Sequence, residues 1–374
     1  MPFPFGKFAK VCAARADANS SCEVAAARPP MKHDGDGSRA GTEDEEPGVD
    51  WSHFGLDRPP FRAAVDPDSY FPSPSHEAAI AAVADGFARR DPAVLVDGPP
   101  GVGKSLVARK WLEHLLSDVP RVVVPNARAE RPAELLQAIL FDLGKPYQGL
   151  TEQELRLAAT AHLLDVAAEG SYPTVLVLDE AQHLGPAALE ELRLLGNLET
   201  RRGAVLFALL VAQPALREAL RPGSEPFAQR VAVRAAVEPL TPAESADYLR
   251  HQLRAAGGEP EKVIDAEAVS LLAGACGGVP RVLNRSAALA LELAAGAGAE
   301  QADVEAALEA LDRLGLAAEP GGPAEPADPV LLPHPARAVE PARAGRGKPA
   351  DAAGGDEAAA GRGPKDKPSR KRTA

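Results

Sequence analysis

Residues 93–96 are an unbroken apolar run, Ala-Val-Leu-Val, too short for a helix and without the alternation of a half-exposed strand. The same signature returns at 121–124, at 174–178, at 205–212 and at 231–237. Runs of this kind are expected of strands buried on both faces of a parallel sheet. Between them lie stretches with helical spacing of apolar residues: one follows residue 103, and others cover 131–143 and 153–168. Strands alternating with helices predict an α/β domain with a five-stranded parallel sheet covered on both sides. After residue 237 the strand pattern stops and helical periodicity takes over at 241–256, 265–276, 280–295 and 301–314. Thr241-Pro242-Ala243-Glu244 is a helix start by its chemistry, with a capping hydroxyl, a proline at the first helical position and a glutamate able to reach back. The pattern therefore predicts an α/β domain over 51–238 and a small all-helical domain over 239–316.

Composition restricts the folded part to about that span. Residues 1–50 carry scattered charge with little apolar periodicity, and 317–374 are dominated by Pro, Ala and Gly, ending in the basic run Lys365-Asp366-Lys367-Pro368-Ser369-Arg370-Lys371-Arg372. Segments so poor in large apolar residues cannot offset the entropy of ordering, so both are expected to be disordered. The 374 residues carry a net charge of -12 and a pI near 5.3, which argues against a protein that coats DNA generically. The basic end is expected to be a solvated tail, with nucleic acid or acidic lipid as the contacts it could make. Cys12, Cys22 and Cys276 lack metal-ligand or disulfide-framework spacing. No apolar run approaches the roughly twenty residues of a membrane span, and no signal-peptide core is visible, so the expectation is a cytoplasmic protein without a direct membrane span.

The chemistry begins directly after the first strand. Gly98-Pro99-Pro100-Gly101-Val102-Gly103-Lys104-Ser105 fits the pattern G-x-x-x-x-G-K-[ST], set between a strand and a helix as that pattern requires. Its glycines let consecutive backbone N–H groups converge on phosphate oxygens, and the following helix adds its positive end. Lys104 is positioned to reach the β and γ phosphates, and Ser105 to ligate Mg²⁺. Downstream, the run 174–178 ends in Asp179-Glu180, an acidic pair at the carboxyl end of a buried strand, where ligands of α/β sheets bind. Asp179 is the candidate second Mg²⁺ ligand, and Glu180 the candidate base that deprotonates water for in-line attack. His183 receives no role. An extra strand between the two motifs, with Glu following Asp, is the arrangement of the additional-strand ATPases.

These motifs and the helical lid resemble an AAA+ ATPase, and further segments resemble the secretion-ATPase family called general secretion pathway protein A. Those segments are Phe54-Gly55-Leu56 with Pro60-Phe61, Asp66-Pro67, residues 70–78, and Asp179-Glu180-Ala181-Gln182. Downstream they are Ala212-Gln213-Pro214, Gln229-Arg230 ahead of Val231-Ala232-Val233-Arg234, Pro239-Leu240, Gly277-Gly278-Val279-Pro280-Arg281, and Asn284-Arg285. The resemblance implies ATP and Mg²⁺ as ligands and Gln213 as a sensor of the γ-phosphate. It also implies Arg281 as a second sensor from the lid and Arg230, with Arg234 as fallback, as an arginine finger in a neighbouring subunit. It implies a homo-oligomer that hydrolyses ATP to remodel a partner complex of secretion type. Longer members of the family carry a transmembrane segment and a peptidoglycan-binding domain after the ATPase, which this sequence replaces with a low-complexity tail. Related stand-alone ATPases serve transposition, so a nucleotide-gated module for DNA or a transposase, with slow hydrolysis, is the alternative. A phosphotransferase on the same loop is disfavoured by the adjacent carboxylates and the four-helix lid.

Overall fold

The computed structural model describes residues 51–62, 69–221 and 226–316. The expectations for 1–50 and 317–374, with Cys12, Cys22 and the basic end, lie outside the described residues, as does Asp66-Pro67.

Five strands form one parallel sheet: β1 (Ala93–Asp97), β2 (Arg121–Val124), β3 (Thr174–Leu178), β4 (Leu206–Ala212) and β5 (Val231–Ala236), in the spatial order β2-β3-β4-β1-β5. Each expected strand is present within one residue at either end. The unbroken apolar runs are explained by a division of alternate residues between two cores. Val94, Val96, Val175, Val177, Phe207, Leu209 and Val211 face one side of the sheet. They pack there against helices α1 (Pro74–Arg89) and α2 (Lys104–Glu113) through Ile80, Val83, Phe87, Val107 and Trp111. Leu95, Leu176, Leu178, Ala208 and Leu210 face the other side. Helices α3 (Pro132–Asp142), α4 (Glu152–Glu169) and α5 (Pro186–Leu195) cover that side with Leu136, Ile139, Leu155, Leu163 and Leu192. Phe87, Trp111 and Phe207 meet edge-on or tilted at 5.3–5.7 Å between centroids, the arrangement that aromatic quadrupoles favour.

Register puts the chemistry on one edge. Asp97 of β1 lies opposite Ala212 of β4, and Leu178 of β3 opposite Leu210, so the phosphate loop, Asp179-Glu180 and Gln213 all leave the sheet at its carboxyl end. Gln213 starts the short helix α6 (Pro214–Ala219).

The helical part comprises α7 (Pro242–Ala255), a single turn Pro260–Val263, α8 (Ala266–Ala275), α9 (Pro280–Gly296) and α10 (Val304–Arg313). At the start of α7 the Thr241 hydroxyl accepts from the Glu244 N–H and the Glu244 carboxylate accepts from the Thr241 N–H at 2.8 Å, the reciprocal cap read from the sequence. The helical core holds Leu249, Leu253, Leu272, Leu283, Leu291 and Leu311. It also takes in Phe54, Leu56 and Phe61, which the sequence grouped with the α/β part. The Asp57 N–H donates to the Ala256 carbonyl at 2.9 Å, fastening that segment to the end of α7. Three apolar residues without helical or strand period carry no sign of which core they join, and only packing decides it. Among the described residues no helix is long and apolar enough to cross a membrane.

Candidate nucleotide site

The loop between β1 and α2 is shaped by its glycines and by what presses on it. Gly101 and Gly103 have φ of +83° and +100°, a region L side chains rarely enter. A Cβ on Gly103 would stand 2.6 Å from Nε2 of His76, and one on Gly98 would stand 2.3 Å from the Val237 carbonyl oxygen. His76, on the first turn of α1, is buried and clamps the loop: its Nε2 is 2.8 Å from the Val102 carbonyl and its Nδ1 contacts the Ser73 hydroxyl. Because a carbonyl only accepts, Nε2 carries the proton and Nδ1 accepts from Ser73. Burial lowers the pKa of this imidazole, which favours that neutral form.

Lys104 opens α2 and is buried, its Nζ donating to the Pro99 carbonyl at 2.8 Å. Burial lowers its pKa; Glu180, Asp179 and Asp97 oppose that shift, and Arg281 adds to it. A buried ammonium beside a loop of left-handed glycines at a helix N-terminus is suited to a polyphosphate, so the residues present fit a Mg²⁺-nucleotide.

Across the loop, Asp179 accepts from the Glu180 N–H at 2.9 Å. Glu180 has φ 55° and ψ 36°, one of two non-glycine left-handed residues among those described. Such strain costs about 1–3 kcal/mol and clusters at functional sites. The Gln182 amide bridges the site: its Nε2 donates to Oε2 of Glu180 at 2.5 Å, and its Oε1 accepts from the Gln213 N–H at 3.0 Å. One turn into α6, Arg217 donates to buried Asp97 at 2.8 Å, fixing that helix to the strand that enters the phosphate loop.

The helical part closes the site. The Arg281 N–H donates to the Gly101 carbonyl at 3.3 Å, joining the start of α9 to the loop after β1. Together the two parts enclose a cavity of about 490 Å³ lined by 100–106, Glu180, Gln213 and Arg281, and on its far side by Phe61, Phe71, Tyr248 and Asn284. Burial pushes the Tyr248 hydroxyl up to about 12; it donates to Asn284 Oδ1 at 2.8 Å.

Of the residues singled out from sequence, Pro100, Gly101, Val102, Gly103, Lys104, Ser105, Glu180, Gln213 and Arg281 line this one cavity. Gly98, Pro99 and Asp179 adjoin lining residues in sequence and are not themselves among the lining residues. Arg230 does not line it: its guanidinium donates to the Asn197 side chain, and Arg234 donates to the Leu220 carbonyl at 2.6 Å. His183 is exposed in the turn after Glu180. The contributions of His76, Gln182 and the Asp97–Arg217 pair were not read from the sequence. Ser73-Pro74, a capping hydroxyl before a proline, was the available signal for the helix that carries His76.

Comparison with known proteins agrees with this geometry. Residues 88–220 match the family model described as an AAA domain. It is 35% identical over 234 residues to general secretion pathway protein A of Aeromonas hydrophila, a match covering 62% of this chain and 42% of that protein. The chain thus spans under half the length of that relative. Among solved structures, the ORC2 protein of Aeropyrum pernix in ADPNP-ADP complexes has a TM-score of 0.56 at 18% identity, with 69% of this chain and 72% of that chain covered. Cdc6p of Pyrobaculum aerophilum scores 0.55 at 20% identity, covering 71% of each chain. Drosophila ORC bound to DNA scores 0.53 at 18%, covering 82% of this chain and 73% of that chain. At these identities the likeness is one of fold alone.

Proposed function

Starting from an AAA domain similar to part of a secretion-pathway protein, we propose that this protein binds Mg²⁺-ATP, hydrolyses its γ-phosphate, and works as a homo-oligomer that remodels a partner complex of secretion type. The observation that carries this reading is the convergence of Lys104, Ser105, Glu180, Gln213 and Arg281 on one cavity built by the two parts of the chain.

Lys104, already buried beside the loop, exchanges the Pro99 carbonyl for phosphate oxygens, a stronger, charge-assisted partner. Ser105 and Asp179 would hold Mg²⁺, which when bound neutralises charge between the β and γ phosphates. Glu180 accepts the proton of the attacking water, and Gln213 and Arg281 stabilise charge on the terminal phosphate from the sheet and from the lid. Arg230 lies outside the cavity of its own chain, which suits a role on the nucleotide of a neighbouring copy. The identity to general secretion pathway protein A supports a secretion-type partner.

ATP turnover measured against protein concentration, for the native protein and Arg230→Ala, tests the shared site. Specific activity is expected to rise with concentration. The variant should bind nucleotide normally yet lose about a thousandfold or more in turnover, the usual range for an arginine finger. Turnover flat in concentration and indifferent to Arg230 would reduce the protein to a monomeric switch.

A further inference from the structure

We propose that Gln182 is the positioning residue of the general base, its side-chain amide fixing the Glu180 carboxylate and tying it to the backbone of Gln213. The inference rests on the ATPase reading above, in which Glu180 is that base. The orientation of the amide is determined by chemistry: the Gln213 N–H can only donate, so the atom 3.0 Å away is Oε1, and the NH₂ group is the one that meets Glu180 Oε2. One carboxylate oxygen is thereby occupied and the other is left to accept from water. Without that bond, Glu180 would hold its carboxylate by three free side-chain torsions on a left-handed backbone, and those torsions would have to be ordered at each turnover.

The platform is rigid. Gln182 sits in the turn Ala181–His183, whose Ala181 is fully buried and accepts from the Leu184 N–H at 3.1 Å. Gln213 follows the last residue of β4, and α6 behind it is anchored through Arg217 to Asp97. The base is therefore linked by contiguous bonds to the residue that would touch the terminal phosphate and to the strand that enters the phosphate loop. A displacement of Gln213 on engaging phosphate moves the N–H that donates to Gln182, the residue whose amide holds the Glu180 carboxylate, so base and sensor shift together.

Gln182→Met, close in shape but unable to make either bond, is the informative variant. Gln182→Glu keeps an acceptor for Gln213 while placing a second carboxylate against Glu180. Both are expected to lower kcat about tenfold or more with KM and the affinity for a fluorescent ADP analogue within about twofold. In urea unfolding of the nucleotide-free protein, Gln182→Met and Glu180→Ala should be non-additive, as residues sharing a bond are. Wild-type kcat in either variant, additive stabilities, or a parallel loss of kcat and nucleotide affinity would overturn the proposal. Glu180→Gln assayed alongside separates the two claims. If it binds nucleotide without turnover, the base stands and the Gln182 result is decisive; if it turns over normally, the base assignment falls and the proposal with it.

Discussion

Replacing Gly103 with alanine tests whether the phosphate loop is held in shape by His76. The new Cβ would sit 2.6 Å from His76 Nε2, at a residue whose φ is +100°. A left-handed backbone costs an L-residue roughly 1–2 kcal/mol. The imidazole cannot swing aside freely, because it is buried and held at both nitrogens by Ser73 and Val102. Displacing it strands the Val102 carbonyl, a further cost of about 1–3 kcal/mol. The sum, about 2–5 kcal/mol, corresponds to roughly 30-fold or more in the population of the competent loop. Titration of a fluorescent ADP analogue into Gly103→Ala should show a loss of at least that size. In a His76→Ala background the clash is gone and only the backbone term remains, so the same substitution should cost markedly less, about tenfold. Affinity within twofold of the native protein in Gly103→Ala, or an equal loss in both backgrounds, would refute the clamp.

Two further outcomes follow from buried charge. The folded pKa of His76 lies below its ordinary 6.5 through burial, despite the opposing pull of Val102, Glu77 and Glu244. The unfolded chain therefore takes up the proton first, and the stability contributed by the neutral ring is complete above 6.5 and is lost as pH falls through the folded pKa. His76→Gln, whose amide can still donate to Val102, should flatten the fall in urea stability as pH drops below His76's ordinary 6.5, relative to the native protein; a parallel pH curve would contradict this. Arg156 of α4 grips Glu191 of α5, whose side chain is 1% exposed, with bonds of 2.7 and 2.8 Å. Arg156→Met should cost about 3 kcal/mol in urea unfolding by leaving that carboxylate unpaired, and Glu191→Met in addition should restore most of it; a single-variant cost under about 1 kcal/mol would mean water already solvates the pair.

The sheet was legible because β1, β3 and β4 have no polar face, so their runs admit only a strand between two helical layers. Helix α1 was not, since its buried face is mostly small, with Ile80, Val83 and Phe87 against a background of alanines. Helix α5 and the single-turn-scale α6 were likewise missed; α6 has one buried apolar residue, Leu216, and no period to read. The shape of the loop after β1 was legible because its backbone demands glycine, Gly101 and Gly103 both having positive φ. The bonds that shape the site were hidden by separation: Gln182 meets a residue 31 positions away and Arg217 one 120 positions away. Such pairings are properties of the folded sheet edge, not of any local pattern. Arg230 illustrates the other limit: its guanidinium meets Asn197, and the role proposed for it on a neighbouring copy would leave no mark within one chain.

Phosphate release from ATP by the native protein and by Lys104→Ala, each with Mg²⁺ and with the metal chelated, tests the central claim most directly. The account requires Mg²⁺-dependent turnover in the native protein and its loss, together with nucleotide binding, in the variant. Turnover that survives both chelation and the loss of Lys104 would place any hydrolysis outside this cavity and contradict the account.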